Sequence, residues 1–272
     1  MRLHLARTGL VLALTALRAL AHPGDEQALA ELDALITDAP AQIELRLLRA
    51  AHRTEHAEWA GAEADLRTAA SLDPDAAPVE LAWGRLDFAR KRFADACRHF
   101  DRALARTPDN AEALILRARA RAALGAPEAP HAYADYSAAV RLLAEPSPSL
   151  FLERAALPID PPVALAGLDE GLARLGPVVS LLERALTLEL ALGRTDAALA
   201  RLDALIAISE RKESLLKRRG DLLASAGRHA DAQQTYTAAL VALRTLPDWL
   251  RATPEIAALD AELARLTRDF SR

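Results

Sequence analysis

The residues best suited to chemistry cluster at one point, His52-Arg53-Thr54-Glu55-His56. Two histidines four positions apart share a helix face, as zinc ligands do, and H-x-x-E-H is the inverted zincin spacing. Such a pair could hold a metal that activates water for hydrolysis. No clear third ligand stands nearby, and the motif falls at the end of a helix, at positions that usually face solvent. Both histidines are therefore read as solvated surface groups, and a zinc hydrolase using His52 and His56 is the alternative reading. Cys97 is the single cysteine, which excludes an internal disulfide and a Cys-rich zinc site. It stands beside Ala96 and reads as packed. Arg90-Lys91-Arg92 reads as a solvated turn. There is no Gly-rich phosphate loop, and no cofactor or metal is expected.

The elements that must position these residues are helices. Of 272 residues 51% are hydrophobic but only 4% aromatic, so Ala and Leu, strong helix formers, carry the apolar load. No stretch alternates β-branched residues as a strand would. The formal charge is −4 with acids and bases interleaved, which argues against a nucleic-acid protein with a basic face.

Residues 1–21 stand apart. Arg2 and Arg7 give a basic start, Gly9 to Leu17 is a short apolar run, and Ala19-Leu20-Ala21 is a small-x-small cleavage site. A cleavable signal peptide is expected, with a mature chain starting at His22, whose amine and imidazole would suit copper. The run is about half the roughly 20 residues a bilayer demands, so no membrane span is expected. These features imply a periplasmic or secreted protein.

From there the chain repeats itself. Pro40, Pro74 and Pro108 follow at 34-residue intervals. The clearest unit carries Trp83-Gly84 on a first helix, then Ala96, Phe100 and Ala103 on a second, closed by Pro108. This resembles the tetratricopeptide repeat, in which a small residue on helix A lets helix B approach and two small residues flank an aromatic on helix B. The resemblance implies an all-α, right-handed superhelical solenoid of antiparallel helix pairs. Residues 22–40 read as an N-terminal capping helix. Six pairs follow at about 41–74, 75–108, 109–146, 147–177, 178–210 and 211–246, and residues 247–272 hold a C-terminal capping helix. The fourth pair is degenerate: Pro158, Pro161 and Pro162 truncate its first helix, while Gly167 and Gly171 weaken its second.

Five repeats place arginine just before the small residue: Arg49, Arg117, Arg154, Arg184 and Arg219. Asp65 and Asp135 stand opposite Arg49 and Arg117, so forked ion pairs that fix register are expected. In the second repeat Trp83 and His99 replace both charges. Arg154, Arg184 and Arg219 lack an evident acid and are expected to be freer for a ligand. The resemblance implies that helix A lines the concave side. The groove candidates are Leu81, Arg85, Phe88, Ile115, Arg119, Lys217, Arg218 and Asp221. The implied function is a non-enzymatic scaffold that binds a protein or peptide, with an acidic segment as the expected kind. A purely structural part of an envelope assembly is a further alternative.

Overall fold

A computed structural model describes residues 25–269 of the chain; the expected signal peptide and a chelating His22 lie outside them. The described residues contain helices and no strand. None of the helices is long and apolar enough to cross a membrane. The chain divides into two compact units after Pro146.

In the first unit α1 (Asp25–Asp38) precedes three helix pairs. These are α2 (Ile43–Glu55) with α3 (Trp59–Leu72), α4 (Ala77–Ala89) with α5 (Phe93–Arg106), and α6 (Ala111–Leu124) with α7 (Ala129–Leu142). In the second unit the pairs are α8 (Pro148–Ala155) with α9 (Pro161–Leu175), α10 (Val179–Ala191) with α11 (Thr195–Ile208), and α12 (Glu213–Ser225) with α13 (His229–Arg244). The short α14 (Asp248–Arg251) and α15 (Pro254–Asp269) end the chain.

The expected small residues do set the spacing. A Cβ on Gly84 would lie 2.3 Å from the Phe100 ring, and one on Gly220 2.4 Å from the Tyr236 ring. Phe100 and Tyr236 are buried, beside buried Ala96, Ala103, Ala232 and Ala239. Tight turns join most pairs, and four turns place a left-handed residue seven positions after the small one, Ala57, Lys91, Gly125 and Gly227; Gly193 is the left-handed residue of the fifth pair's turn. In the third pair Gly125 leads into a short 3-10 segment, Ala126–Glu128, which holds Pro127. Pro130 sits in the first turn of α7, where its missing N–H is harmless.

Two expectations change. The left-handed Gly193 fixes the frame of the fifth pair, so the small-residue position falls on Leu186 and the residue before it is Ala185. Arg184 is thus one position out of the arginine series. It donates instead to the Ala155 carbonyl at 3.2 Å.

The fourth pair is also not weak in the expected way. Its first helix has only 8 residues, as the prolines dictate, but α9 runs unbroken for 15. A Cβ on Gly171 would lie 2.8 Å from Phe151, and one on Gly167 3.1 Å from Arg154. In the second, third and sixth pairs the aromatic is on the second helix and faces a small residue on the first. Here Phe151 is on the first helix and Gly171 stands at the aromatic's usual place. The filled volume is kept with the partners exchanged.

At the end of the second unit, Ile256 and Leu263 of α15 are buried with Leu240 and Leu243 of α13. Thr253, ahead of α15, uses its hydroxyl to donate to the Leu250 carbonyl at 2.8 Å.

Candidate functional site

The arginine series is built into the helix pairs. Arg49 Nε donates to Asp65 at 2.9 Å while a second nitrogen of the same guanidinium reaches the other carboxylate oxygen, and Arg53 adds a bond at 2.6 Å. Arg117 forks onto Asp135 at 2.9 and 2.6 Å, with Arg121 at 2.7 Å. Asp65 and Asp135 are buried. The hydrogen bonds that Arg49 donates to Asp65 raise the Arg49 pKa. Burial works against the charge on Arg117, but the bonds and charge of Asp135 outweigh it. The expected register-fixing forks are therefore present.

The remaining arginines are not free. Arg154, 1% exposed, donates to Glu170 at 2.6 Å and to the Gly167 carbonyl at 2.9 Å. Glu170 occupies the helix position that Asp65 holds in the first pair, so the acid was overlooked in the sequence. Arg219 reaches Thr235 at 3.0 Å, again at that position, and Asp203 at 2.7 Å. In the fifth pair the polarity is reversed. Glu189 on the first helix is buried, and Arg201 on the second comes within 3.4 Å of it. The second pair is reversed too, with buried Asp87 on the first helix and His99 Nε2 3.6 Å away on the second. His99 also stacks on Trp83, ring centroids 5.8 Å apart.

Of the groove candidates, Leu81 and Arg85 meet in a cleft of about 460 Å³ between α2 and α4. Leu47, Ala50, Ala51, Thr54, Glu55, Pro78 and Ala82 complete its lining. The cleft exists because the first repeat is small where the second is large. Ala51 and Thr54 stand 34 residues before Arg85 and Phe88. The first-repeat half of this lining was missed in the sequence, although Leu47 is the 34-residue counterpart of Leu81. Ile115 and Leu81 pack against the core of Leu104, Ala113, Leu114 and Ala139. Phe88 meets Phe93 edge-on, ring centroids 5.4 Å apart. Arg119 is half-buried on α6.

Lys217, Arg218 and Asp221 belong to the second unit. Their charges are used internally: Lys217 binds Asp221 at 2.9 Å and Glu262 at 3.1 Å, and Arg218 binds Glu183 at 2.8 Å. Asp221 also accepts from the Tyr236 hydroxyl at 2.9 Å. Arg85 is likewise paired, with Glu112.

The histidine pair departs from expectation. His56 is exposed, but His52 is buried, 5% exposed. It lies seven positions after buried Leu45, on the face of α2 that meets α1. The two rings are 4.6 Å apart. Among the described residues no group of three or more His, Cys, Asp or Glu side chains is placed to hold a metal ion. Cys97 is half-buried against the Ala96, Phe100 and Ala120 cluster, and burial pushes its thiol pKa up, away from thiolate reactivity.

No protein-family model matches the sequence, and no curated protein does. Solved structures do. A tetratricopeptide repeat protein from Parabacteroides merdae is 16% identical with a TM-score of 0.52, covering 94% of this chain and 97% of that one. The C-terminal part of a TPR repeat-containing protein from Cytophaga hutchinsonii is 13% identical with a TM-score of 0.63, covering 87% of this chain and 95% of that one. At these identities the likeness is one of fold.

Proposed function

We propose, for a chain with the tetratricopeptide-repeat fold, that it is a non-enzymatic scaffold and that the cleft between α2 and α4 seats a peptide segment of a partner protein. The observation that carries this reading is the cleft itself. It is lined by Leu47, Ala50, Ala51, Leu81 and Ala82, with Glu55 and Arg85 as its charged members. A preformed apolar recess of this size accepts one bulky apolar side chain, and such an anchor dominates the affinity of a docked segment. Because Arg85 is already matched by Glu112, shape and apolar burial select the segment here more than net charge does. Helix-pair scaffolds generally serve protein interaction, which supports the class of function but names no partner.

The basic start, apolar run and Ala19-Leu20-Ala21 of the first 21 residues support export to the periplasm or beyond as the setting for this binding.

A displayed random-peptide library selected on the protein tests the cleft. Enriched sequences should share one large apolar residue, and their binding should be lost in Ala51→Trp, which fills the recess from its wall. No enrichment, or equal binding to the filled variant, would overturn the assignment.

A further inference from the structure

A second site lies on another face of α4. At three helix-pair junctions an aspartate on the preceding second helix binds the arginine sixteen residues later: Asp33 with Arg49, Asp101 with Arg117, and Asp203 with Arg219. At the junction between the first and second pairs this rule fails on both sides. Arg67 stands where the aspartate belongs, and Trp83 stands where the arginine belongs. The junction carries an open pocket of about 370 Å³ lined by Glu63, Arg67, Trp83, Asp87, Arg92, Asp95, Arg98, His99 and Arg102.

The charges in this pocket do not close on themselves. Four guanidiniums face three carboxylates. One of those three, Glu63, is shared between Arg67 and Arg90, and Arg90 lies outside the lining. Asp87 is taken by Arg92 at 2.5 Å and approached by His99. Arg102 binds Glu80 at 2.9 Å. Arg67 and Arg98 are each 66% exposed, and their partners Glu63 and Asp95 lie on their own helices. Each guanidinium has five donors in a fork that matches a carboxylate. The Trp83–His99 stack walls the pocket with a flat ring face. Every neighbouring use of this junction position supplies a carboxylate from within the chain. Here that position holds Arg67 and supplies none, and the exposed Arg67 and Arg98 are met only by carboxylates of their own helices.

We propose that this pocket binds a carboxylate from outside the chain, held chiefly by Arg67 and Arg98. The carboxylate comes either from a free dicarboxylate or from an Asp/Glu side chain of a peptide. The site is separate from the apolar cleft: Pro78, Leu81, Ala82 and Arg85 line the cleft, and Trp83 and Asp87 line the pocket.

Calorimetric titration at fixed ionic strength tests this, with glutarate in one arm and an oligoglutamate peptide in the other. Saturable binding is expected in at least one arm, weakened at least tenfold in Arg67→Gln/Arg98→Gln and unchanged in Ala51→Trp. Glutarate binding alone identifies a small-molecule site, and peptide binding alone identifies a protein partner. Neither probe binding, or equal binding by the double variant with an unchanged thermal midpoint, would overturn the proposal. Failure of the cleft would leave this result standing, because Ala51→Trp does not touch the pocket.

Discussion

The Arg154 guanidinium, 1% exposed, donates to Glu170 at 2.6 Å although Glu170 is itself 41% exposed. One partner is sealed in the fourth helix pair and the other reaches in from the surface. Removing the surface partner therefore has a buried consequence. Glu170→Ala should destabilise the second unit by about 3 kcal/mol, because it leaves a buried cation short of its counter-charge. A typical exposed glutamate would cost less than about 0.5 kcal/mol. Asp65→Ala should cost about 1–3 kcal/mol for the same reason, moderated because Arg49 keeps Asp33. Urea midpoints of the three proteins decide the matter.

The exchanged packing of Phe151 and Gly171 predicts a compensating pair. Gly171→Ala should destabilise by about 1–3 kcal/mol, since its Cβ would press on Phe151. Phe151→Ala should cost about 3–5 kcal/mol through the cavity it opens. Phe151→Ala/Gly171→Phe places an aromatic opposite Ala155, as Tyr136 stands to Ala118 in the third pair, and should be more stable than Phe151→Ala alone. A double-mutant cycle measures that coupling; additive losses would contradict the exchange.

The left-handed turn residues predict a gain. Ala57 and Lys91 each have φ near 59°, where Gly193 and Gly227 stand in later turns. A side chain there costs roughly 1–2 kcal/mol relative to glycine. Ala57→Gly and Lys91→Gly should each stabilise by about 0.5–1 kcal/mol after glycine's greater freedom in the unfolded chain is counted. Thermal midpoints should rise, and a fall in both would refute the turn argument.

Stability should depend on pH at both extremes. Burial, then the bond to Asp221, raises the Tyr236 pKa above its ordinary 10.0. The folded state thus holds a proton that the unfolded chain releases above pH 10. This contribution is complete below pH 10 and is lost as pH rises beyond it, at up to about 1.4 kcal/mol per pH unit. Tyr236→Phe should remove that loss, which denaturation between pH 8 and 11 would show. On the acid side, the bond from Arg90 lowers the Glu63 pKa below its ordinary 4.5. Its contribution is present above pH 4.5 and lost as pH falls below it, and Glu63→Gln should flatten that limb.

The repeated helix pairs were legible because their signals are local and repeated. Three prolines at 34-residue intervals set the frame, and Gly84 with Phe100 marked the approach of one helix to the next. The Arg49–Asp65 and Arg117–Asp135 forks were legible from register alone. Glu170 follows Arg154 by sixteen residues, as Asp65 follows Arg49, but Pro158, Pro161 and Pro162 between them obscure that register. Arg184 was misplaced because Ala185 mimics the small residue, and only the backbone at Gly193 shows that Leu186 holds the position. His52 was read as solvated because the end of a helix seldom faces a neighbour, yet α1 covers that side of α2. The α2–α4 cleft depends on two small side chains opposite two large ones, a difference between repeats that a search for likeness passes over.

The reversal of charge polarity in two of the six pairs bears on how the chain avoids folding wrongly. Helices of similar length and composition could exchange partners during collapse. An α2 that seized α5 instead of α3 would set Arg49 and Arg53 against His99 with no aspartate to receive them. An α10 that took α9 would bring Glu189 toward Glu170 instead of Arg201. Reversed polarity in the second and fifth pairs therefore gives each of these hairpins a different key from the pairs on either side, so that such a mispairing carries buried, unmatched charge.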